Sequence, residues 1–196
     1  MLKVTGYEIP GNTLILTWFA IGLLICGDSN RAAQSDVCII HLSMTILLLL
    51  QEDKTTHNCN EPEPQMMAKA ITAYQHNNSI RCNQDIPELN NITFPCLTMV
   101  RSQPCFYKVT VTKQLSDAIT QGSYPSQVTV IKHCVPPSLP YLNAKVMEDV
   151  DYCRVALRYY TTFLLKWNIV RCYSDLKPNI PTRNCIGSLC SQDLCK

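Results

Sequence analysis

Cysteine is the residue type with the most chemical potential in this chain of 196 residues, which contains twelve cysteines. Thiolates can bind metal ions, act as nucleophiles or form disulfides, and their spacing indicates which of these they do. Structural zinc sites use close pairs such as C-x2-C, because a short loop must aim two thiolates at one ion. The chain has no such pair, and most successive cysteines are nine to 29 residues apart. This spacing favours disulfides formed in an oxidising compartment.

The cysteines predicted to form disulfides are the ten that follow residue 58. Each bridge would stabilise the fold by about 2–4 kcal/mol, because it restricts the unfolded chain. An even number can pair completely, but the connectivity cannot be read from the sequence. The ten are Cys59, Cys82, Cys96, Cys105, Cys134, Cys153, Cys172, Cys185, Cys190 and Cys195.

Catalytic patterns are absent from the sequence. The four histidines, His41, His57, His76 and His133, are scattered, and neither H-E-x-x-H nor G-x-S-x-G occurs. His133 precedes Cys134, but neighbouring residues of a strand point to opposite faces, so the two do not form a thiol–imidazole pair. The sequence therefore predicts a protein that is not an enzyme and that binds neither a cofactor nor a metal ion.

An apolar stretch of thirteen residues lies near the N-terminus, from Leu14 to Cys26. This length is typical of a signal peptide and is shorter than the 20 or so residues that span a membrane. We therefore predict a signal peptide over residues 1–27, with cleavage after Gly27. Membrane association would require that this apolar segment remain uncleaved.

A second apolar run extends from Cys38 to Leu50. It is compatible with a core helix, with half of a membrane hairpin, or with a signal sequence that extends through residue 50. Cleavage after Gly27 leaves eleven cysteines, whereas removal of the first 50 residues leaves ten, which favours the longer signal sequence. The fate of residues 28–58 stays open, and residues 59–196 form the predicted cysteine-rich extracellular domain.

Two N-glycosylation sequons also indicate the secretory pathway. Asn77 begins Asn-Asn-Ser and Asn91 begins Asn-Ile-Thr, and glycans would mark both segments as exposed. The formal net charge is only +2, so composition gives no indication of nucleic-acid binding. These features predict a secreted, extracellular protein.

Apolar periodicity predicts two helices and a hairpin. Residues Glu61–Gln75 and the segment between Pro140 and Trp167 repeat apolar residues at three- and four-residue steps, as amphipathic helices do. Residues 105–113 and Ser126–His133 alternate instead, which predicts two antiparallel strands. Their connection, which contains Gly122 and Pro125, is either a binding loop or a solvated connector. A short strand is predicted at residues 169–173.

The C-terminal sequence Cys190-Ser-Gln-Asp-Leu-Cys195 resembles the closing signature of the Ly6/uPAR, or three-finger, family. The segments Cys105–Lys108 and Ile131–Cys134 are similar to the central finger of divergent members, including nematode-type modules. The resemblance implies a small disulfide-rich, mainly antiparallel β fold in which the helix around Cys153 is a long insertion. The alternative is a disulfide-stapled α+β domain.

The resemblance also implies a non-enzymatic module that presents loops to an extracellular or cell-surface protein. A secreted protease-inhibitor-like or structural protein is the alternative, since the proline-rich stretch Val135–Pro140 would form a rigid extended segment. A secreted disulfide-rich hydrolase is the third and least favoured class.

Overall fold

The computed structural model of the chain describes residues 13–51, 62–100, 103–136 and 149–167. These residues form a mixed α+β fold, which confirms the coarser part of the predicted fold class. The strands and helices follow in chain order: β1 (Thr13–Ile25), β2 (Asp28–His41), β3 (Ile46–Gln51), α1 (Pro62–Asn83), β4 (Asn91–Val100), β5 (Gln103–Thr112), α2 (Lys113–Gln121), β6 (Ile131–Cys134) and α3 (Val150–Trp167).

The strands form one six-stranded sheet in the order β1-β2-β3-β4-β5-β6. Neighbours are antiparallel except for β3 and β4, which run parallel and pair Leu49 with Cys96. Helix α1 connects these two strands, because parallel neighbours need a crossover connection. The sheet therefore consists of two three-stranded antiparallel units joined edge to edge.

Both faces of the central strands are covered by apolar residues. Along β5, Tyr107 and Val109 belong to a buried cluster with residues of α1, whereas Phe106 belongs to a second cluster with Tyr160 of α3. This alternation follows from the two-residue period of a strand. The Phe106 ring lies 5.0 Å from that of Tyr160 and 4.9 Å from that of Phe163, measured between centroids. The sheet thus lies between α1 and α3.

The helix predicted at Glu61–Gln75 is confirmed as α1, which continues to Asn83. Proline is favourable in the first turn, where its missing N–H costs nothing, and Glu63 and Arg81 complement the helix dipole at the two ends. The buried side chains Met66 and Ala70 lie against the sheet. The helix is therefore held mainly by this buried face.

Within the predicted signal peptide, Thr13–Ile25 form the edge strand β1. At Trp18 the backbone adopts a φ of 55°, and the hairpin of β1 and β2 continues beyond the point where β3 ends. Gln75 of α1 binds this extension at Leu24: the Leu24 N–H donates to Oε1 at 3.0 Å, and Nε2 donates to the Leu24 carbonyl oxygen at 3.0 Å. Helix α1 thus holds the far half of the hairpin.

The second apolar run, Cys38–Leu50, comprises the end of β2, a turn and most of β3. These strands exclude a core helix, which was one of the three interpretations of this run. The turn brings the His41 N–H within 2.8 Å of the Thr45 carbonyl oxygen, and Met44 has a φ of 65°. Consecutive residues at the start of the run are apolar because Cys38 and Ile40 face α1 while Ile39 belongs to the cluster around α3.

The predicted hairpin of residues 105–113 and 126–133 is confirmed as the antiparallel pair β5 and β6, with Val109 opposite Ile131. Strand β6 is shorter than predicted, and the connection contains helix α2. Thr112 caps this helix by accepting a hydrogen bond from the Leu115 N–H, and Gly122 ends it in the left-handed conformation. Helix α3 lies within the predicted Pro140–Trp167 segment, and residues 169–173 are outside the described residues.

Candidate functional site

The loop between α2 and β6, residues 122–130, carries the most exposed large apolar side chains of the described chain. Tyr124 is 100% exposed, Val128 91% and Val130 66%. Single exposed apolar residues are common on protein surfaces, but three within seven residues of one loop form a local patch. We refer to residues 122–130 as the exposed loop.

The exposed loop is anchored to α2 at two places. At its start, the Ser123 N–H donates to the Ala118 carbonyl oxygen at 2.8 Å. Further along, Gln114 Nε2 donates to Ser126 Oγ at 2.6 Å. Because a backbone bond before Tyr124 and a side-chain bond after it restrict the loop, less conformational entropy is lost when the loop is ordered by a partner.

The tip of the β1–β2 hairpin supports the base of this loop. The Cys26 N–H donates to the Ile119 carbonyl oxygen at 2.9 Å, and the Gly27 N–H donates to that of Thr120 at 2.8 Å. Gly122 lies so close that a Cβ atom there would be 3.2 Å from the Cys26 sulfur. The hairpin tip thus donates to carbonyl groups in the last turn of α2, and that of Ile119 also accepts from the Gly122 N–H at 3.1 Å.

Two lysines face each other next to the exposed loop. Lys108 of β5 and Lys132 of β6 are directly opposite in the antiparallel register, and both are exposed. Directly opposed residues lie on one face of the sheet. Sequence patterning predicted both strands but missed this pair, because the alternation of apolar residues does not give the register between two strands.

The sheet face under α1 carries a buried group of polar and thiol side chains. Cys96 is opposite Tyr107, and Thr98 is opposite Cys105. Burial raises the pKa of the Cys96 thiol well above its ordinary value, although the positive charge of Lys69 offsets part of the effect. Burial is also the main cause of the raised pKa of Tyr107 and of Cys105. These groups stay protonated near neutral pH and are poor nucleophiles.

A partly buried ion pair lies between α1 and β2. Lys69 Nζ is 3.5 Å from Asp36 Oδ2, and the two side chains are only 11% and 18% exposed. Such a pair is costly to break, because removing one partner leaves a charge in a poorly solvated place. It aligns α1 on the sheet.

The structure describes five of the ten predicted disulfide cysteines. Cys82 is exposed at the end of α1, Cys96 and Cys105 are buried, and all three are free thiols. Cys134 of β6 and Cys153 of α3 are half-buried. The remaining candidates, Cys59, Cys172, Cys185, Cys190 and Cys195, lie outside the described residues. Cys82, Cys96 and Cys105 form no disulfide in this structure, and disulfide formation by the other candidates stays a prediction.

The two sequon asparagines differ sharply in exposure. Asn91 is exposed at the first position of β4. Asn77 is 1% exposed, and its Nδ2 donates to the Ile46 carbonyl oxygen at 3.0 Å. The interface between α1 and β3 has no room for a glycan on this nitrogen, so in the folded chain only Asn91 has the exposure expected of a glycosylation site.

The described histidines make separate local contacts. His41 Nδ1 is 2.9 Å from Ser43 Oγ, His76 Nε2 is 3.1 Å from the Met44 carbonyl oxygen, and the His133 ring is 5.9 Å from that of Tyr107. Within residues 13–51, 62–100, 103–136 and 149–167, no three potential ligands are grouped as a metal site would require. His57 is outside these ranges.

No helix in the described part of the chain combines the length and apolar character needed to cross a membrane. No protein-family model, curated protein or solved structure matches the chain.

Proposed function

We propose that this protein is a non-enzymatic binding module that contacts a partner protein through the exposed loop. The observation that carries the proposal is the exposure of Tyr124, Val128 and Val130 on a loop whose backbone is anchored to α2. Tyrosine is enriched among the residues that dominate binding energy at protein interfaces. Fully burying a valine-sized side chain gains about 1.5–3 kcal/mol, so three such residues can supply a substantial part of a binding free energy.

The partner that we propose is an extracellular or cell-surface protein. This part of the proposal rests on the sequence alone, on its cysteine content and on the sequon at Asn91. A non-catalytic role agrees with the chemistry of the buried thiols, whose raised pKa values keep them protonated.

Site-specific photo-crosslinking tests the binding role. A benzophenone amino acid replaces Tyr124, and the purified protein is presented to cells and irradiated. The matched control carries the same group at Asn83, which is exposed at the end of α1. We expect position 124 to crosslink one dominant protein. Position 83 should not crosslink that protein.

A second variant, Val128→Ser, should reduce the yield of that crosslink without lowering the melting temperature, because Val128 is 91% exposed and contributes little to the core. Equal crosslinking patterns from positions 124 and 83 would contradict the proposed binding role of the loop.

A further inference from the structure

The exposed loop lies within a stretch of sequence that has no charged side chains. Residues 118–131 contain no aspartate, glutamate, lysine, arginine or histidine, and the charged residues that border them are Asp117 and Lys132. Asp117 interacts with Lys113, whose Nζ lies 3.8 Å from Asp117 Oδ1 and 2.8 Å from Glu88 Oε2. The side chains that the loop itself offers to a partner are therefore uncharged.

The Tyr124 side chain is not buried by its own protein. It is 100% exposed, so both faces and the edge of its ring are accessible to a partner. A flat surface can cover one face of such a ring, whereas a concave pocket can enclose all of it. Tyrosines that dominate the binding energy of an interface fill well-packed, desolvated pockets. This degree of exposure therefore favours a partner with a pocket over a partner with a flat surface.

The chain on both sides of Tyr124 is restricted. The Ser123 N–H donates to the Ala118 carbonyl oxygen at 2.8 Å, and Gln114 Nε2 donates to Ser126 Oγ at 2.6 Å. Between these bonds, the pyrrolidine ring of Pro125 fixes its own φ. A side chain that is presented by a restricted backbone loses less conformational entropy when it enters a pocket.

Resting on the proposed function, we infer that the partner encloses the Tyr124 side chain in an uncharged pocket and covers Val128 with an apolar surface. The walls of the pocket are apolar because they bury the faces of the ring. One polar group in the pocket accepts a hydrogen bond from the phenolic O–H, since a buried tyrosine hydroxyl usually needs a partner. Burial of apolar area, rather than attraction between charges, drives this contact.

The lack of charge in residues 118–131 favours such a pocket over an anionic partner. Nucleic acids and anionic lipids are bound through lysine and arginine, and this stretch contains neither. Lys132 borders the stretch, but a charge at the margin of an interface changes the association rate more than the affinity. A neutral lipid surface is the other class of partner that three exposed apolar residues would fit, and protein-free vesicles test it directly.

Binding of the fluorescently labelled full chain to membranes from the cells that give the crosslink at position 124 tests the inference. Tyr124→Phe keeps the ring and loses one hydrogen bond, so it should weaken binding about fivefold, or ~1 kcal/mol. Tyr124→Ala should weaken binding about 30-fold, or ~2 kcal/mol, as expected of a residue that fills a pocket. Raising the salt concentration from about 0.05 M to about 0.5 M should change the affinity less than about twofold, because screening affects charge pairs.

Two substitutions of opposite charge test whether the partner surface is uncharged. Val128→Lys and Val128→Glu should weaken binding by similar factors, because either charge loses its hydration at an apolar surface. Neither variant should lower the melting temperature, because Val128 is 91% exposed. The matched controls are Asn83→Lys and Asn83→Glu at the exposed end of α1, which should leave binding unchanged.

Tighter binding by either Val128 variant would overturn the inference, because it would reveal a partner surface of the opposite charge. Unchanged affinity in Tyr124→Ala, or equal binding of the parent protein to protein-free phosphatidylcholine vesicles, would also overturn it. A partner-specific crosslink from position 124 would still leave the binding role of the loop standing. The absence of that crosslink in the otherwise unchanged protein would overturn both proposals.

Discussion

Asn77 of α1 binds both backbone polar groups of Ile46 in β3. The Ile46 N–H donates to Oδ1 at 2.8 Å, and Nδ2 donates to the Ile46 carbonyl oxygen at 3.0 Å. Strand β4 pairs with β3 only at Leu49, Leu50 and Gln51, so the amide takes the place of a partner strand at the start of β3. The helix is thereby joined to the sheet by directional bonds as well as by apolar packing.

Replacing Asn77 by alanine should lower the free energy of unfolding by about 3 kcal/mol, because two buried backbone groups lose their partners. Ser79→Ala is the matched control: it destroys the same sequon, but its side chain is exposed, and stability should not change. Urea denaturation of both variants measures the difference. Similar stability of the two variants would contradict the structural role of the Asn77 amide.

The buried thiol of Cys38 should make the protein sensitive to alkaline pH. Burial raises the pKa of Cys38 from 9.0 to about 11, so the folded state retains a proton that the unfolded state loses earlier. The stabilisation is fully present below pH 9.0 and is lost as pH rises through about 11. Denaturation midpoints across this window should fall with pH, and the slope should be shallower in Cys38→Ala. An unchanged slope would exclude Cys38 as a contributor.

Gly122→Ala should weaken the junction between α2 and the hairpin tip. Gly122 has a φ of 70°, and an added Cβ would lie 3.2 Å from the Cys26 sulfur. We expect a loss of about 1 kcal/mol from the backbone conformation, with a further loss from the contact. Gly22→Ala is the control, because a Cβ there meets no atom within 4 Å. Adding Cys26→Ala to Gly122→Ala should restore the stability that is lost to the close contact but not the stability that is lost to the backbone conformation, as measured by melting temperature.

Thiol labelling should divide the free cysteines into two groups. Cys26 and Cys82 are exposed and should react with iodoacetamide in the native protein at about pH 8. Cys38, Cys96 and Cys105 are buried and should react only after denaturation. Peptide mapping by mass spectrometry measures the extent of labelling at each cysteine. A disulfide at Cys96 or Cys105 in the native protein would contradict their assignment as free thiols.

Elements whose apolar residues follow one period were predictable from the sequence. The apolar spacing of α1, which includes Ala70 and Ile71, has the three- and four-residue steps of a helix, and β5 has the alternation of a strand. The run Cys38–Leu50 left several interpretations open, because strand residues such as Cys38, Ile39 and Ile40 are buried on alternating faces of a covered sheet. A strand of that kind is apolar throughout, and periodicity cannot distinguish it from a helix or a signal sequence.

The candidate site was predicted only in outline. A binding loop was one of the two interpretations of the connection between the two alternating segments, and Tyr124 and Val128 lie in this connection. Helix α2 was missed, although Thr112 at its start and Gly122 at its end are capping residues. The opposition of Lys108 and Lys132 depends on strand register, which turn length and tertiary packing determine together.

Because β1 lies within the predicted signal peptide, removal of that peptide and this fold are mutually exclusive. Cleavage after Gly27 would take away the whole strand, including Ile21, and would leave β2 as a new, unprotected sheet edge. Helix α2 would also lose the hairpin tip that donates to its last carbonyl groups at Ile119 and Thr120. Determining the mature N-terminus by Edman degradation or intact mass therefore shows whether the working protein retains β1 and with it this fold.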